Sequence, residues 1–160
     1  MTNEFAGAAE RVLSELRRRK QTLSVAESLT GGLLGGAITD IPGASDVFLG
    51  GVVAYNARMK SELLGVDPES IAHYGVVSRE IAIEMAVGAA RLFRSDWAIA
   101  TTGVAGPGPS EGVAAGTVWI AIAATGTPYA EALALSGSRQ EVRMATIARA
   151  LATFTRILSE

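Results

Sequence analysis

Helical and strand patterns alternate along this chain, and no linker, repeat or low-complexity stretch interrupts them. Apolar residues recur at helical spacing from Phe5 to Leu16, and the next apolar run, residues 22–26, is short and β-branched as strands are. Further strands are predicted at 47–55, 97–102, 117–124 and 129–135. The pattern predicts one domain, residues 1–160, folded as a three-layer α/β/α sandwich around a mixed, mostly parallel sheet.

Local signals place several helix boundaries. Ser78 is predicted to cap a long helix that reaches about Phe93, and residues 138–141 (SRQE) match a capping box that opens the final helix. Gly65 is expected to end a short helix in the left-handed conformation. Residues 125–128 (TGTP) form a turn that predicts an antiparallel pairing of the last two strands.

Composition excludes several classes of protein. The chain has 160 residues and no cysteine, which excludes disulfides. Its net charge is −2, so it lacks the basic surface expected of a nucleic-acid binder. The basic run Arg17 to Lys20 is interpreted as the end of a helix. The charged N-terminal stretch is not a signal peptide or a membrane span, so we expect a cytoplasmic protein. The carboxylates show no metal-ligand spacing, and no metal is predicted.

A serine lies where the first strand is expected to meet the next helix. Residues 26–32 (AESLTGG) present the Ser28 hydroxyl at a strand-to-helix turn, where open α/β sheets bind their ligands. Free N–H groups at a helix N-terminus attract anions, so this segment suits a nucleophile or a phosphate. The alternative is that Ser28 or Thr30 only caps the helix.

A serine nucleophile needs a base, and this chain offers few. His73 is the only histidine and lies at a predicted helix end, which makes a Ser-His-Asp triad a weak hypothesis. Lysine occurs only at Lys20 and Lys60, and burial of a lysine lowers its pKa enough for it to act as a base. Lys60 follows Tyr55 across a strand-to-helix turn, so both side chains are expected to face one cavity. The alternatives are a solvated lysine and an aromatic residue at a rim.

A third strand end is followed by the most turn-rich segment of the chain. Thr102 precedes a loop from Gly103 to Pro109, whose backbone N–H groups can approach a ligand and supply oxyanion or phosphate contacts. The loop matches neither a dinucleotide fingerprint nor a P-loop. Its alternative interpretation is a rigid Gly/Pro turn.

Together these segments resemble the C-terminal domain of the competence/damage-inducible CinA family, which includes the bacterial nicotinamide-nucleotide amidases. The resemblance covers nearly the whole chain and rests on six ordered motifs: 26–32 (AESLTGG), Tyr55 with Lys60, 62–66 (ELLGV), 74–78 (YGVVS), 102–107 (TGVAGP) and 116–119 (GTVW).

The resemblance implies an α/β/α fold, often dimeric, that hydrolyses nicotinamide mononucleotide to nicotinate mononucleotide and ammonia without a cofactor. The family's catalytic serine, tyrosine and lysine fall on Ser28, Tyr55 and Lys60. A substrate contact falls on Thr102. For the substrate's phosphate and oxyanion we predict further contacts at Thr30, Gly31, Gly32, Gly103, Gly106, Arg139 and Arg143. We expect a homodimer whose partner is this small molecule, with no nucleic acid and no membrane.

Two segments depart from the family pattern. Residues 56–59 (NARM) keep the Tyr-to-Lys spacing but differ from the common Ser-Asn-Glu-Ala, and residues 109–115 (PSEGVAA) are one residue shorter than usual and lack a Lys-Pro pair. The family's domain is often fused to a larger N-terminal partner, and we expect this chain to be the stand-alone form. Two other functions stay open: a non-catalytic nucleotide-binding or regulatory module, and a Ser/Lys amidase for another small carboxamide.

Overall fold

A computed structural model describes residues 4–160, and the predicted alternation of helices and strands is confirmed within them. The elements, in chain order, are α1 Ala6–Arg19, β1 Leu23–Glu27, α2 Leu33–Thr39, β2 Phe48–Val53, α3 Ala57–Leu64, α4 Pro68–Tyr74, α5 Arg79–Phe93, β3 Trp97–Gly103, β4 Thr117–Ala123, β5 Tyr129–Ala134 and α6 Arg139–Ser159. A short 3-10 helix, Ala44–Asp46, precedes β2. None of the helices in residues 4–160 has the length and apolar character needed to cross a membrane.

The five strands form one sheet in the order β2-β1-β3-β4-β5. β1 pairs in parallel with β2 and β3, whereas β3–β4 and β4–β5 are antiparallel. The predicted mixed sheet and the antiparallel last pair are confirmed, but the prediction of a mostly parallel sheet is wrong. A parallel connection needs a long crossover, usually a helix. The chain returns from β3 to β4 through a loop without a helix, so this pairing is antiparallel.

The predicted helix boundaries are confirmed by their hydrogen bonds. Ser78 accepts a hydrogen bond from the Ile81 N–H at the start of α5, and Ser138 with Glu141 forms the predicted capping box of α6. Gly65 ends α3 in the left-handed conformation. Asn56 caps α3 by accepting a hydrogen bond from the Met59 N–H. The N-cap of α3 is therefore fixed four residues before Lys60.

Alternate residues of the central strands belong to two different clusters of buried residues. Val25 and Ile99 pack in a cluster with residues of α1, α2 and α6, whereas Ala26 and Ala100 pack in a cluster with residues of α3 and α5. The alanines are small, which allows the second group of helices to lie close to the strands. The full three-layer arrangement stays a prediction.

Three strand ends meet at one edge of the sheet. The Ser28 N–H, just after β1, donates to the Thr101 carbonyl in β3 at 3.1 Å, and the Ala54 N–H, just after β2, donates to the Glu27 carbonyl at 2.9 Å. Because these three strands are parallel, their carboxyl ends lie side by side. The predicted site residues after each strand are thereby brought to the same edge.

Two helical glycines test how closely the helices pack. A Cβ added at Gly88 in α5 would lie 2.0 Å from the Leu64 carbonyl oxygen at the end of α3, whereas one added at Gly36 in α2 would meet nothing within 4 Å. We expect Gly88→Ala to destabilise the fold by about 1–3 kcal/mol, since α3 must move away. We expect Gly36→Ala to stabilise it by about 0.5–1 kcal/mol.

Urea denaturation of the two variants and the wild type measures both changes. Equal stability of the Gly88→Ala variant and the wild type would contradict the close packing of α3 on α5.

Candidate active site

Ser28 lies in the turn between β1 and α2 and is 7% exposed. Its N–H is bonded to Thr101, and its carbonyl accepts a hydrogen bond from the Gly31 N–H at 3.0 Å. The backbone on both sides of the hydroxyl is therefore fixed by the sheet and by the turn. The position suits a nucleophile that has to be presented in one orientation.

Lys60 is the partner of the Ser28 hydroxyl. Its Nζ atom lies 2.9 Å from Ser28 Oγ, 2.8 Å from the Ala54 carbonyl oxygen and 3.4 Å from the Tyr55 carbonyl oxygen. The residue is only 1% exposed, and desolvation by burial lowers the pKa of the Lys60 amine to about 8. A substantial fraction of the amine is therefore neutral near pH 8.

The three neighbours of the Lys60 amine determine where its lone pair points when it is neutral. Two of them are carbonyl oxygens, which only accept hydrogen bonds, so the two N–H groups of a neutral amine are directed to Ala54 and Tyr55. The lone pair is then left facing Ser28 Oγ, whose hydroxyl is able to donate. This is the geometry that a serine nucleophile with a lysine general base requires.

Glu27, which sequence analysis did not select, closes the N-terminus of α2. Its carboxylate is 2% exposed and accepts hydrogen bonds from the Leu34 and Gly35 N–H groups at 2.8 and 3.0 Å. The charge satisfies two of the free N–H groups of the helix and interacts favourably with its dipole. An acidic residue just before a predicted helix start was a signal that could have identified it. Glu27 therefore occupies the position where we predicted the substrate's phosphate.

The predicted phosphate ligands around α2 do not line the cleft next to Ser28. The Thr30 hydroxyl is buried and is hydrogen-bonded to the Thr101 hydroxyl at 2.8 Å. Arg143, from α6, donates from Nε to the Leu29 carbonyl at 2.8 Å and from Nη2 to the Thr30 carbonyl at 3.3 Å. Arg143 thus fixes the backbone of the Ser28 turn through two of its carbonyls and does not line the cleft. Gly31 and Gly32 have left-handed backbones in the same turn and are also absent from the lining.

The cleft beside Ser28 has a volume of about 530 Å³, which is in the range of small-molecule sites. It brings together a subset of the predicted residues: Ser28, Tyr55, Lys60, Thr102, Gly103, Gly106 and Arg139. Its charged lining residues are Lys60, Arg139 and Glu111. Glu111 was not predicted as a site residue. Within residues 4–160, no group of three or more His, Cys, Asp or Glu side chains is placed to hold a metal ion.

Arg139 links two walls of this cleft. Its Nη1 donates to the Gly106 carbonyl at 2.6 Å, and its Nη2 donates to the Tyr55 hydroxyl at 2.9 Å. Tyr55 is 59% exposed, and it contacts the Lys60 amine through its main-chain carbonyl. The predicted role of the Tyr55 phenol in proton transfer stays a prediction.

Thr102 and Gly103 continue β3 past the end of β1. The Thr102 hydroxyl donates to the Val76 carbonyl at 2.7 Å, so it orients the neighbouring segment. The Val104 N–H donates to Thr117 in the direction of β4. Because N–H groups alternate along a strand, the Gly103 N–H points to the opposite side, where β1 has ended and Ser28 lies. A Cβ at Gly103 would lie 2.7 Å from the Val118 side chain, which explains the glycine.

The fold and the site define an α/β domain with a buried serine–lysine pair at the carboxyl edge of its sheet. Residues 6–158 match the model of the CinA C-terminal domain, and the chain belongs to this family. It is 42% identical over 148 residues to a CinA-like protein of Frankia casuarinae, covering 92% of this chain and 34% of that protein. A CinA-like protein of Synechococcus sp. is 53% identical over 113 residues, which are 70% of this chain and 27% of the relative. The chain thus spans about a third of the length of these curated relatives.

Solved structures agree with this assignment. The competence/damage inducible protein CihA from Agrobacterium tumefaciens superposes with a TM-score of 0.93 at 35% identity, covering 100% of this chain and 98% of that one. A CinA superfamily protein from Escherichia coli has a TM-score of 0.93 at 30% identity, covering 99% and 91% of the two chains.

The Glu27 contact can be tested by a single-atom change. Glu27→Gln replaces one carboxylate oxygen by an amide NH₂, which faces a backbone N–H that needs an acceptor. We expect a loss of about 1–3 kcal/mol in the free energy of unfolding. Glu141→Gln is the control, since glutamine also serves in a capping box, and it should cost less than about 0.5 kcal/mol. Chemical denaturation gives both values, and equal losses would contradict the role assigned to Glu27.

Proposed function

We propose that this protein is a Ser/Lys amidase that hydrolyses nicotinamide mononucleotide to nicotinate mononucleotide and ammonia. The observation that carries the proposal is the 2.9 Å contact between Ser28 Oγ and the buried Lys60 amine, whose pKa is lowered to about 8. Membership of the CinA C-terminal domain family supports it, because the sequence motifs resemble those of the family's nicotinamide-nucleotide amidases.

The first half of the reaction forms an ester on Ser28. Neutral Lys60 takes the hydroxyl proton while Ser28 Oγ attacks the carboxamide carbon, and the carbonyl π-electrons move to the oxygen. The Gly103 N–H is the donor we assign to this oxyanion, and such a donor contributes about 2.7–4 kcal/mol when correctly placed. Lys60 then gives its proton to the amide nitrogen, the C–N bond breaks, and ammonia leaves.

The second half uses the same groups on water. Neutral Lys60 takes a proton from water as the water oxygen attacks the ester carbon, and the second oxyanion forms at the same donor. Collapse breaks the bond to Ser28 Oγ, which recovers its proton from Lys60, and the carboxylic acid that forms loses its remaining proton to solvent and leaves as nicotinate mononucleotide. The scheme needs no cofactor.

The phosphate of the substrate is assigned to the Arg139 end of the cleft. Helix α2 does not offer free N–H groups at Leu34 and Gly35, because the Glu27 carboxylate is bound there. Arg139 lies on the lining with an exposed side chain, and a guanidinium binds phosphate through paired hydrogen bonds. The substrate would therefore extend from Ser28 towards Gly106 and Tyr55.

An amidase acting on another small carboxamide is the second candidate. Pro109, Ser110, Glu111 and Val113 line the cleft, and they belong to the segment that departs from the family pattern. A change at this wall alters which substrates fit without altering the Ser28–Lys60 pair. A non-catalytic nucleotide-binding module is the third. A homodimer and a cytoplasmic location are also part of the main proposal.

Ammonia release from nicotinamide mononucleotide tests the main proposal. We expect Ser28→Ala and Lys60→Met each to reduce kcat at least about a thousandfold, since the nucleophile or its base is lost. Methionine fills the space of the lysine stem without its amine. Lys20→Asn is the matched control, because Lys20 is exposed at the end of α1 with a left-handed backbone that asparagine tolerates.

Full activity of both the Ser28→Ala and Lys60→Met variants would exclude this mechanism. Absence of ammonia with nicotinamide mononucleotide, together with ammonia from another small carboxamide, would select the second candidate. Nucleotide binding without hydrolysis of any amide would select the third.

The pH dependence provides a separate test of the base. The neutral amine is the active form, so kcat/KM should rise about tenfold per pH unit well below pH 8 and level off above about pH 9, with a midpoint near the Lys60 pKa of about 8. Initial rates between pH 5.5 and 10 would show this curve. A midpoint near pH 6.5 would point to a histidine instead and contradict the assignment.

A further inference from the structure

The segment after α4 is held against the edge of the sheet that carries Ser28. The Gly75 N–H donates to the Ile71 carbonyl at 2.9 Å, and the Ser78 hydroxyl donates to the Gly75 carbonyl at 2.8 Å. The Thr102 hydroxyl binds the next residue, Val76, through its carbonyl. Tyr74, at the start of this segment, therefore has a fixed backbone beside the cleft.

Tyr74 lines the cleft and is 49% exposed. The ring of His73 packs against it at right angles, with centroids 4.6 Å apart. Tyr74 is one of two aromatic residues in the cleft lining, and the hydroxyl of the other, Tyr55, is bound to Arg139. An oriented and half-exposed aromatic ring in a cleft is a surface on which a planar ligand ring can stack.

The charge of the proposed substrate's ring determines which lining residues are able to bind it. The proposed substrate carries a pyridinium ring, and the Arg139 guanidinium on the lining is positive, so binding of this ring in the cleft requires a compensating partner. The face of a tyrosine ring attracts cations, and a carboxylate does so more strongly. Tyr55, Tyr74 and Glu111 are the lining residues of these types, and the Tyr55 hydroxyl already contacts the Arg139 guanidinium.

Glu111 also has an unusual backbone for its residue type. Ser110 and Val113 exchange two hydrogen bonds, of 3.0 and 2.9 Å, so Glu111 and Gly112 form the two central residues of a tight turn. Both have positive φ, 49° and 78°. Asparagine, aspartate or glycine normally occupies the first of these positions. A glutamate that is kept in this conformation at a cleft is a candidate for a ligand contact.

We propose that Tyr74, supported by the Glu111 carboxylate, is a specificity-determining residue that binds the cationic aromatic ring of the substrate. The proposal rests on the proposed function and adds to it the residues that recognise the pyridinium ring. Tyr74 takes no part in proton transfer. Its loss therefore weakens substrate binding and leaves the chemical step unchanged.

The test compares two ligands that differ in the ring. Nicotinamide mononucleotide carries a pyridinium, whereas its reduced form keeps the ribose, phosphate and carboxamide but has an uncharged, non-aromatic ring. We expect Tyr74→Leu to raise KM for nicotinamide mononucleotide about tenfold with kcat within about twofold, and Tyr74→Phe to stay close to wild type. Glu111→Gln should raise KM about threefold. The competitive inhibition constant of the reduced form should change less than about twofold in all three variants.

Tyr129→Leu is the matched control, because Tyr129 is an exposed tyrosine on β5 outside this cleft. An unchanged KM in Tyr74→Leu, or an equal rise for both ligands, overturns the inference. If wild type releases no ammonia, the proposed function fails, and calorimetric titration of nicotinamide mononucleotide into wild type and Tyr74→Leu then decides the inference alone. A tenfold weaker Kd in the variant supports it, and equal Kd values or no binding overturn it.

Discussion

The position of one buried amine organises this site. Lys60 Nζ is enclosed by Ser28 Oγ, which follows β1, and by the carbonyl oxygens of Ala54 and Tyr55, which follow β2. The carbonyls accept hydrogen bonds from the N–H groups of the neutral amine, and its lone pair then faces the serine. A shift of either strand end, or of α3, would change the Ser28–Lys60 distance. The Ser28–Lys60 distance therefore depends on the register of the sheet as much as on the two side chains.

Burial of this lysine has a cost in stability. Its pKa falls from 10.5 to about 8, so the folded protein binds fewer protons than the unfolded chain between these values. Stability from this group therefore rises as the pH rises through that window, and its full penalty, on the order of 3 kcal/mol, applies below about pH 8. The hydrogen bonds of the Glu27 carboxylate to α2 and of Arg143 to the Leu29 carbonyl fix the Ser28 turn, and they help to maintain the Ser28–Lys60 geometry in spite of this cost.

The sequence predicted the elements that depend on local patterns. Helix caps such as Ser78 and Ser138 follow from single hydrogen bonds between near neighbours, and both were predicted correctly. The pairing direction of β3 and β4 depends on how a glycine-rich loop returns, which apolar periodicity does not reveal. Ser28 and Lys60 were selected by elimination of other bases, and the structure then places them 2.9 Å apart.

The contacts of long polar side chains could not be predicted in the same way. Arg139 and Arg143 are one helical turn apart on α6, and the sequence left open which of them binds a ligand. Arg143 donates to main-chain carbonyls of the Ser28 turn, whereas Arg139 reaches across the cleft to Gly106 and Tyr55. Which carbonyls each guanidinium meets depends on the angle of α6 over the sheet, and this is a property of the tertiary packing.

The same reasoning separates the two segments that depart from the family pattern. Asn56 lines the cleft, but its side chain caps α3. The residue type at this position therefore affects the helix that positions Lys60. The segment around Glu111 is different, since its tight turn is closed by main-chain hydrogen bonds and leaves the side chain available. Substitutions in the first segment act on the position of Lys60. Under the proposed function, substitutions in the second segment act on the ligand that reaches Ser28 and Lys60, so we expect substrate choice to depend on that wall of the cleft.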